Sequence, residues 1–167
     1  MKTKLELKDL SGYFPYSLIC EFNNRKTLNI KIKKVHEIRV ERDCEFVVKE
    51  AINCFALDLI KPILRPLSDI YKTIIHNEKE IIPIVELAKI AKSELKWKNE
   101  KNGASSGLWF FEFFENSFEL SFSHMPKFTN NQYQLFDYLH ELKIDYRGLI
   151  ESGLAISVYD LEENPYK

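Results

Sequence analysis

The chain has 167 residues, 45% of them hydrophobic and 13% aromatic, with a formal net charge of −1. This length fits one domain, or a small domain with a companion lobe, and the apolar content excludes a disordered chain. The glycine content, 5 residues in all, excludes a collagen-like or flexible-linker sequence.

Charge is distributed unevenly along the chain. Residues 1–49 carry 11 basic and 7 acidic side chains, whereas residues 108–167 carry 4 basic and 10 acidic side chains. The net charges of these parts are therefore +4 and −6. We predict a basic N-terminal part and an acidic C-terminal part, a distribution that affects steering and partner choice more than fold.

Residues 1–60 predict a β-rich lobe. A short helical turn at Lys4–Leu10 stops at Ser11 and Gly12. Strands are then predicted from alternating or apolar runs at 18–22, 28–33, 37–41, 46–48 and 54–59. Short strands at this spacing indicate an antiparallel meander, either open or curled into a small barrel.

Residues 61–167 predict a second, α+β lobe that can also pack with the first as one compact domain. Pro62 and Pro66 favour a structured crossover between the lobes, because the residue before each proline avoids the α region. The predicted elements are helices at 68–75 and 82–91, a loop at 92–107, an aromatic β-hairpin at 109–123, helices at 129–142 and 146–152, and a strand at 154–159. The predicted fold class is α+β.

Three segments have the character of recurring cassettes. They are LKDLSGYFPYSL at Leu7–Leu18, IKPILRPLSDIYKTI at Ile60–Ile74 and LHELKIDYRGLIESGLAISVYDL at Leu139–Leu161. In this order they resemble a group of small uncharacterised proteins encoded in phages and mobile elements of gut bacteria. The chain departs from that group at Lys143–Arg147, where the group is rich in aromatic residues. The resemblance implies a phage-type context in the bacterial cytoplasm, and it transfers no activity and no functional residue.

Location is predicted from what the sequence lacks. The start, MKTKLELKDLSGYF, has no apolar region of the kind found in signal peptides, and no window approaches 18 uninterrupted apolar residues. The three cysteines show no CxxC spacing, which disfavours a disulfide scaffold and a zinc ribbon. We therefore expect a cytoplasmic protein without a membrane partner.

No pattern in the chain assembles a catalytic, cofactor-binding or metal-binding site. The histidines are scattered one per segment, at His36, His76, His124 and His140. Cys20 and Cys54 lie in apolar strands and are predicted to be inert, while acidic neighbours raise the pKa expected for Cys44. No glycine-rich phosphate loop is present. The sequence predicts no catalytic residue, no cofactor and no metal.

Acidic side chains also flank the aromatic hairpin, at Glu112, Glu115 and Glu119. Carboxyl groups near aromatic rings can act as general acids. We favour paired or edge-facing carboxylates instead.

Aromatic residues are more numerous around the hairpin than one hairpin and one helix need. The candidate protein-interface residues are Trp109, Phe110, Phe113, Phe114 and Tyr133. Exposed aromatic patches are typical of interfaces. As a single role we favour filling of the core between the hairpin and the helix that follows it, and the surplus of rings makes an interface the competing prediction.

Basic residues offer a second candidate site. Arg25, Lys26, Lys31, Lys33 and Lys34 cluster on one predicted hairpin, and lysines surround Trp97 in the predicted loop. A basic rim with an exposed aromatic is typical of single-strand nucleic-acid binding. Against this, the sequence pI is 6.4, whereas dedicated binding domains often exceed about 9. Lysines on an edge strand also serve to block aggregation.

The leading hypothesis is a non-enzymatic accessory protein that acts by binding a protein partner or by self-association. A nucleic-acid-binding protein is the alternative, and a hydrolase with an unrecognised site ranks third.

Overall fold

The structure is a computed structural model. It describes residues 3–24, 29–34, 37–41, 44–50, 53–127, 129 and 131–166, and it describes side chains outside residues 23–55.

The described helices are α1 (Leu7–Leu10), α2 (Pro83–Ala91) and α3 (Gln132–Glu141). The described strands are β1 (Ile19–Asn24), β2 (Asn29–Lys34), β3 (Glu37–Glu41), β4 (Cys44–Glu50), β5 (Asn53–Ala56), β6 (Ile60–Pro66), β7 (Ile74–His76), β8 (Lys79–Ile81), β9 (Lys98–Glu100), β10 (Gly103–Ser106), β11 (Trp109–Phe114), β12 (Ser117–Phe122), β13 (Met125–Lys127), β14 (Ile144–Asp145) and β15 (Ile156–Ser157). This content confirms the predicted α+β class.

The chain divides into two compact units. Unit 1 comprises Met1–Pro66 and Arg147–Pro165, and unit 2 comprises Leu67–Tyr146 and Tyr166–Lys167. The sequence places a boundary after residue 60 and assigns the whole of 61–167 to one lobe. The difference at the C-terminal end has a physical cause, since Ile156 and Ser157 pair in parallel with Ile63 and Leu64 of β6.

Unit 1 contains the predicted antiparallel strands in two sheets. β1 pairs with β2 on one side and with β6 on the other, both antiparallel, and β15 adds a parallel strand to β6. β3, β4 and β5 form a separate three-stranded antiparallel sheet. Among the described strands, the pairings leave both sheets open rather than closed into a barrel.

Strand β6 occupies the stretch for which the prolines predict a crossover. Its pairing with β1 runs from Ile60 to Pro62, and its pairing with β15 uses Ile63 and Leu64. The residues of β6 that pair with β15 therefore lie between Pro62 and Pro66, and neither proline is part of this parallel pairing. Proline has no N–H to donate and is normally confined to strand edges and ends, so the position of both prolines outside the parallel pairing allows a strand that contains them.

Parts of all three cassettes contribute to the core of unit 1. Asp9 is fully buried, and its Oδ1 lies 3.7 Å from Arg147 Nη1, which joins the first cassette to the third. The backbone N–H of Glu6 donates to Asp9 Oδ2 at 2.9 Å and anchors the start of α1. The cassettes therefore encode buried contacts of the fold. The fully buried apolar residues of this unit include Leu10, Tyr13, Leu18, Cys20, Ile63, Leu64 and Leu149.

Unit 2 is built on a five-stranded antiparallel meander in the order β13-β12-β11-β10-β9. The hairpin of β11 and β12 confirms the predicted aromatic hairpin. Its loop residues Glu115 and Asn116 both have positive φ, as a two-residue type I′ turn requires. β9 and β10 form a further hairpin inside the predicted loop at 92–107, where polar side chains conceal the strand pattern.

One face of this sheet packs against the helices. Ala104, Phe111 and Leu120 lie in one cross-strand row, and all three are buried. The core that covers this face also includes Ile70, Ile84, Leu87, Ala88, Trp97, Phe118, Leu135 and Leu139.

Of three predicted helices, the structure confirms one and contradicts two. Helix 82–91 is confirmed as α2, with Pro83 in its first turn. The predicted helix at 68–75 is wrong, because a 3-10 helix at Leu67–Tyr71 gives way to β7, where β-branched residues favour a strand. The predicted helix at 146–152 is also wrong. Gly148 has a φ of +69° in the middle of that segment, and the chain there makes turns instead.

Candidate surface at the end of the unit 2 sheet

Strand alternation distributes the candidate interface aromatics over two faces of the unit 2 sheet. Trp109 and Phe113 lie on the face that bears Phe111, whereas Phe110 and Phe114 lie on the opposite face. Tyr133 projects from α3 and is 83% exposed. The structure therefore does not bring these five residues together into one patch.

Phe110 and Phe113 have contacts of their own within unit 2. The Phe113 ring lies 4.9 Å from the Phe118 ring and 6.3 Å from the Phe136 ring, between centroids. The Phe110 ring covers Gly103, where an added Cβ would lie 2.8 Å from Phe110 Cζ and would also clash with the Phe111 carbonyl oxygen. An aromatic ring over a glycine is a known means of stabilising a strand. Phe114, at 52% exposed, remains a surface residue.

Trp109 belongs to a different exposed group that the sequence does not single out. Trp109, Phe122 and Met125 occupy one cross-strand row, and the Trp109 and Phe122 ring centroids are 4.9 Å apart. The Ser123 N–H donates to the Leu108 carbonyl at 2.8 Å, which fixes Leu108 at the end of this row. We call Leu108, Phe122 and Met125 the apolar rim. Leu108 and Met125 are each 65% exposed, and Phe122 is 37% exposed.

A cleft of about 420 Å³ opens beside Trp109. The end of α2 supplies one wall, Trp109 and Leu120 supply the sheet side, and Lys127, Thr129 and Asn131 line the remaining side. We call this the Trp109 cleft. Its lining includes Ile90, Lys92, Trp109, Leu120, Lys127 and Thr129.

Two side-chain hydrogen bonds hold the wall formed by the end of α2. Asn131 Nδ2 donates to the Ile90 carbonyl at 2.7 Å, and Trp97 Nε1 donates to the Lys92 carbonyl at 3.0 Å. Both carbonyls lie at the end of the helix, where intrahelical partners run out. The wall is therefore fixed by protein contacts before any ligand arrives.

Some polar side chains of the cleft have an ion-pair or hydrogen-bond partner, and others have none within the described structure. Lys92 Nζ lies 2.5 Å from Glu94 Oε1 and 4.9 Å from the centre of the Trp109 ring. The hydrogen bond from Lys92 lowers the pKa of Glu94. Lys127 makes no ion pair with any described carboxylate. The Thr129 hydroxyl is buried and has no hydrogen-bond partner among the described residues.

On the opposite face of the sheet, Glu112 and Glu119 are direct cross-strand neighbours. Partial burial, together with the charge of Glu119, raises the pKa of Glu112. Like charges in this position destabilise a sheet. We therefore expect Glu112→Gln to increase the free energy of unfolding at pH 7 by roughly 0.5 kcal/mol, a small effect because solvent screens exposed carboxylates. Urea titration at pH 7 and pH 4 measures it.

The sign of this pH dependence follows from the raised pKa. As pH falls, folded Glu112 takes up its proton before the unfolded chain does, so acidification relieves the repulsion. The advantage of Glu112→Gln should therefore be largest at pH 7 and shrink towards pH 4. Glu115→Gln, in the turn beyond the paired strands, is the control and should show no such trend. An advantage that is equal at both pH values would contradict the cross-strand explanation.

The basic candidate site is only partly within the described structure. Trp97 is buried, with its ring centroid 6.3 Å from that of Phe111, so the expectation of an exposed stacking residue is wrong. Its neighbours in the sequence are polar, but its indole ring lies in the core and its N–H donates to the Lys92 carbonyl. Arg25 and Lys26 lie outside the described residues. Positions 31, 33 and 34 lie in β2, and their side chains are not among those described.

Polar side chains near the end of α3 form a separate group within unit 2. His76 Nε2 lies 3.0 Å from Glu141 Oε1. Burial, reinforced by the charges of Glu86 and Glu141, raises the pKa of Tyr138 to about 12. Tyr138 therefore stays a neutral phenol at physiological pH.

The remaining histidines and cysteines have separate surroundings. His140 Nε2 lies 2.9 Å from Tyr146 Oη, and His124 is exposed in the turn after β12. His36 lies outside the described residues. Cys20 is buried as predicted, and burial raises the pKa of its thiol. The described side chains contain no cluster of three or more His, Cys, Asp or Glu that could hold a metal ion.

In the described part of the chain, no helix is both long enough and apolar enough to span a membrane. No protein-family model, curated protein or solved structure matches the chain.

Proposed function

We propose that this protein binds another protein through the apolar rim and the Trp109 cleft of unit 2, and that it acts as a non-enzymatic accessory factor of a phage or mobile element. One observation carries the proposal: Phe122 and Met125 are exposed in one cross-strand row with the half-buried Trp109, and Leu108 is exposed in the turn at the same end of the sheet. Exposed apolar residues are ordinary when they are scattered singly, but contiguous ones mark interaction sites. Aromatic residues and methionine are also enriched in interfaces.

The mode of binding follows from the edges of the sheet. β13 is an edge strand and contains Pro126, which has no N–H to offer to an added strand. β9 is the other edge and carries Lys98 and Glu100, charged residues that discourage strand addition. The partner therefore contacts side chains on the face of the sheet rather than extending it.

The phage context comes from the cassettes alone. Their residues Asp9, Arg147, Ile63 and Leu64 make buried contacts in unit 1. The apolar rim and the cleft fall between the second and third cassettes, in a stretch that carries no part of the resemblance. A common framework with a separate binding surface fits an accessory protein adapted to its own partner.

Affinity capture from nuclease-treated bacterial lysate tests the proposal. The double variant Leu108→Ser, Met125→Ser should capture the partner at least about tenfold less than the wild-type chain, because truncating central interface residues commonly costs more than 1 kcal/mol each. Both positions are exposed, so the fold should persist. The control is Tyr159→Ser, which removes an exposed aromatic from unit 1 and should leave capture unchanged.

Two results would contradict the proposal. One is equal capture by the wild-type chain and the double variant. The other is loss of all captured material on nuclease treatment, which would favour nucleic-acid binding through the basic N-terminal hairpin. Sedimentation of the purified chain identifies the partner as a second copy if the wild type, but not the double variant, self-associates.

A further inference from the structure

A lysine side chain of the Trp109 cleft lies over the aromatic ring that the proposed interface needs. Lys92 Nζ is 4.9 Å from the centre of the Trp109 ring, and both residues line the cleft. We propose that Lys92, held in place by Glu94, is an autoinhibitory cover that a partner protein must displace before it packs on the Trp109 ring. This proposal rests on the protein-binding function proposed above and adds a regulatory contact to the same surface.

Two contacts hold the ammonium group of Lys92 in this position. Glu94 Oε1 lies 2.5 Å from Lys92 Nζ, and the face of an indole ring attracts a cation electrostatically. The Lys92 side chain is only 27% exposed, whereas Lys89, which pairs with Glu86, is 48% exposed. Lys92 therefore lies against the protein surface instead of extending into solvent.

The backbone of Lys92 is fixed, so uncovering the ring requires movement of the side chain alone. The Lys92 N–H donates to the Ala88 carbonyl at 2.9 Å, and the Lys92 carbonyl accepts from Trp97 Nε1 at 3.0 Å. The Glu94 side chain is exposed, where water competes for its carboxylate. Rotation of such side chains is fast compared with the association of two proteins. The cover can therefore open without any change in the fold.

An apolar side chain of the partner competes with Lys92 for the same place on the ring. The apolar rim continues the Trp109 row through Phe122 and Met125, so a partner seated on the rim reaches this ring. Packed side chains have heavy atoms about 4 Å apart, which leaves no room for the ammonium group between them. A charge trapped beneath an apolar group would also cost free energy. Binding therefore requires Lys92 to leave the ring.

Acrylamide quenching of tryptophan fluorescence measures whether Lys92 covers Trp109. The chain has 2 tryptophans and Trp97 is 7% exposed, so this uncharged probe reports mainly on Trp109. Glu94→Ala should raise the quenching constant about 1.5-fold, because a lysine without its ion-pair partner leaves the ring more often. Lys92→Ala should raise it about twofold, because the side chain that shields the ring is removed.

Two controls separate the cover from a general effect of charge. Glu86→Ala removes the carboxylate that pairs with Lys89 at 2.7 Å, away from the cleft lining, and should leave the quenching constant unchanged. The double variant Lys92→Ala, Glu94→Ala should match Lys92→Ala alone, because Glu94 acts only through Lys92. A further increase in the double variant would show that Glu94 shields the ring by itself, and would overturn the role of the ion pair.

Capture from nuclease-treated bacterial lysate tests whether the cover inhibits binding. Below saturation, Glu94→Ala and Lys92→Ala should each capture about threefold more of the protein that the wild type captures, because the ion pair and the cation–π contact are each weak at a surface. Glu86→Ala should capture the wild-type amount. Equal or weaker capture by both cleft variants would overturn the inhibitory role, since Lys92 would then not obstruct the partner.

The cover and the protein-binding function can fail separately. An unchanged quenching constant in Glu94→Ala would overturn the cover held by Glu94, whatever the capture experiment shows. Equal capture by the wild type and the Leu108→Ser, Met125→Ser variant would contradict the protein-binding function, and with it the need to displace Lys92. Increased quenching in Glu94→Ala would in that case still establish that Glu94 holds Lys92 over the ring.

Discussion

Replacing Phe111 with alanine is expected to lower the free energy of unfolding by about 4 kcal/mol. The side chain is fully buried in the central strand of the unit 2 sheet. Its ring stacks on that of Phe118 at a centroid distance of 5.6 Å and meets Trp97 at 6.3 Å. Truncation removes these contacts and leaves a cavity that the surrounding sheet and helices cannot close. Urea titration followed by tryptophan fluorescence measures the change.

Phe114→Ala is the matched control, since it makes the same chemical change three residues along the same strand. Phe114 is 52% exposed on the opposite side of the alternation, and we expect its loss to cost less than about 1 kcal/mol. The contrast between the two variants tests which positions of β11 face the core. Equal costs would show that the assignment of faces is wrong.

Gln132→Ala is expected to lower the free energy of unfolding by about 2 kcal/mol. The Phe118 N–H donates to Gln132 Oε1 at 3.1 Å, and Gln132 Nε2 donates to the Phe118 carbonyl. The Gln132 side chain thus pairs with both the N–H and the carbonyl of the buried Phe118, which has no partner residue in β13. Alanine would leave both groups unpaired. Hydrogen exchange at the Phe118 amide should become faster in the variant, together with the loss of stability.

The control for this prediction is Gln134→Ala, on the exposed side of the same helix. It should change stability by no more than about 0.5 kcal/mol, because alanine is a good helix former and the Gln134 side chain lies at the surface. If both glutamine variants lose the same stability, the bonds to Phe118 do not hold the sheet to α3.

The predictable parts of the fold are those with a regular local pattern. Ile30 and Ile32 alternate with lysines in β2, and Pro83 followed by apolar residues at helical spacing predicts α2. The missed elements have different causes. β7 and β8 form a local hairpin, and its two turn residues Asn77 and Glu78 both have positive φ. β6 contains two prolines and forms because the distant strands β1 and β15 pair with it. Tertiary pairing of this kind is not visible in a local pattern.

The sequence pattern selected only part of the candidate surface. An excess of aromatics predicts an interface, and Trp109 does line the exposed region. Leu108 and Met125 were missed because each is a lone apolar residue beside a turn, and only the strand register brings them to the same end of the sheet. For Trp97 the error was the reverse, because a residue predicted to be exposed is buried. The polar residues around it in the sequence predict an exposed side chain, but its N–H donates to a carbonyl at the end of α2 and its ring fills the core.

Site-specific photo-crosslinking tests the central claim most directly. A photoreactive amino acid in place of Met125 lies on the apolar rim, and the same amino acid in place of Phe114 lies on the opposite face of the same sheet. Both positions are exposed, so neither replacement should disturb the fold. We predict that irradiation in bacterial lysate gives a discrete crosslinked protein from position 125 and not from position 114. No crosslinked protein from position 125, or the same product from both positions, would contradict the account.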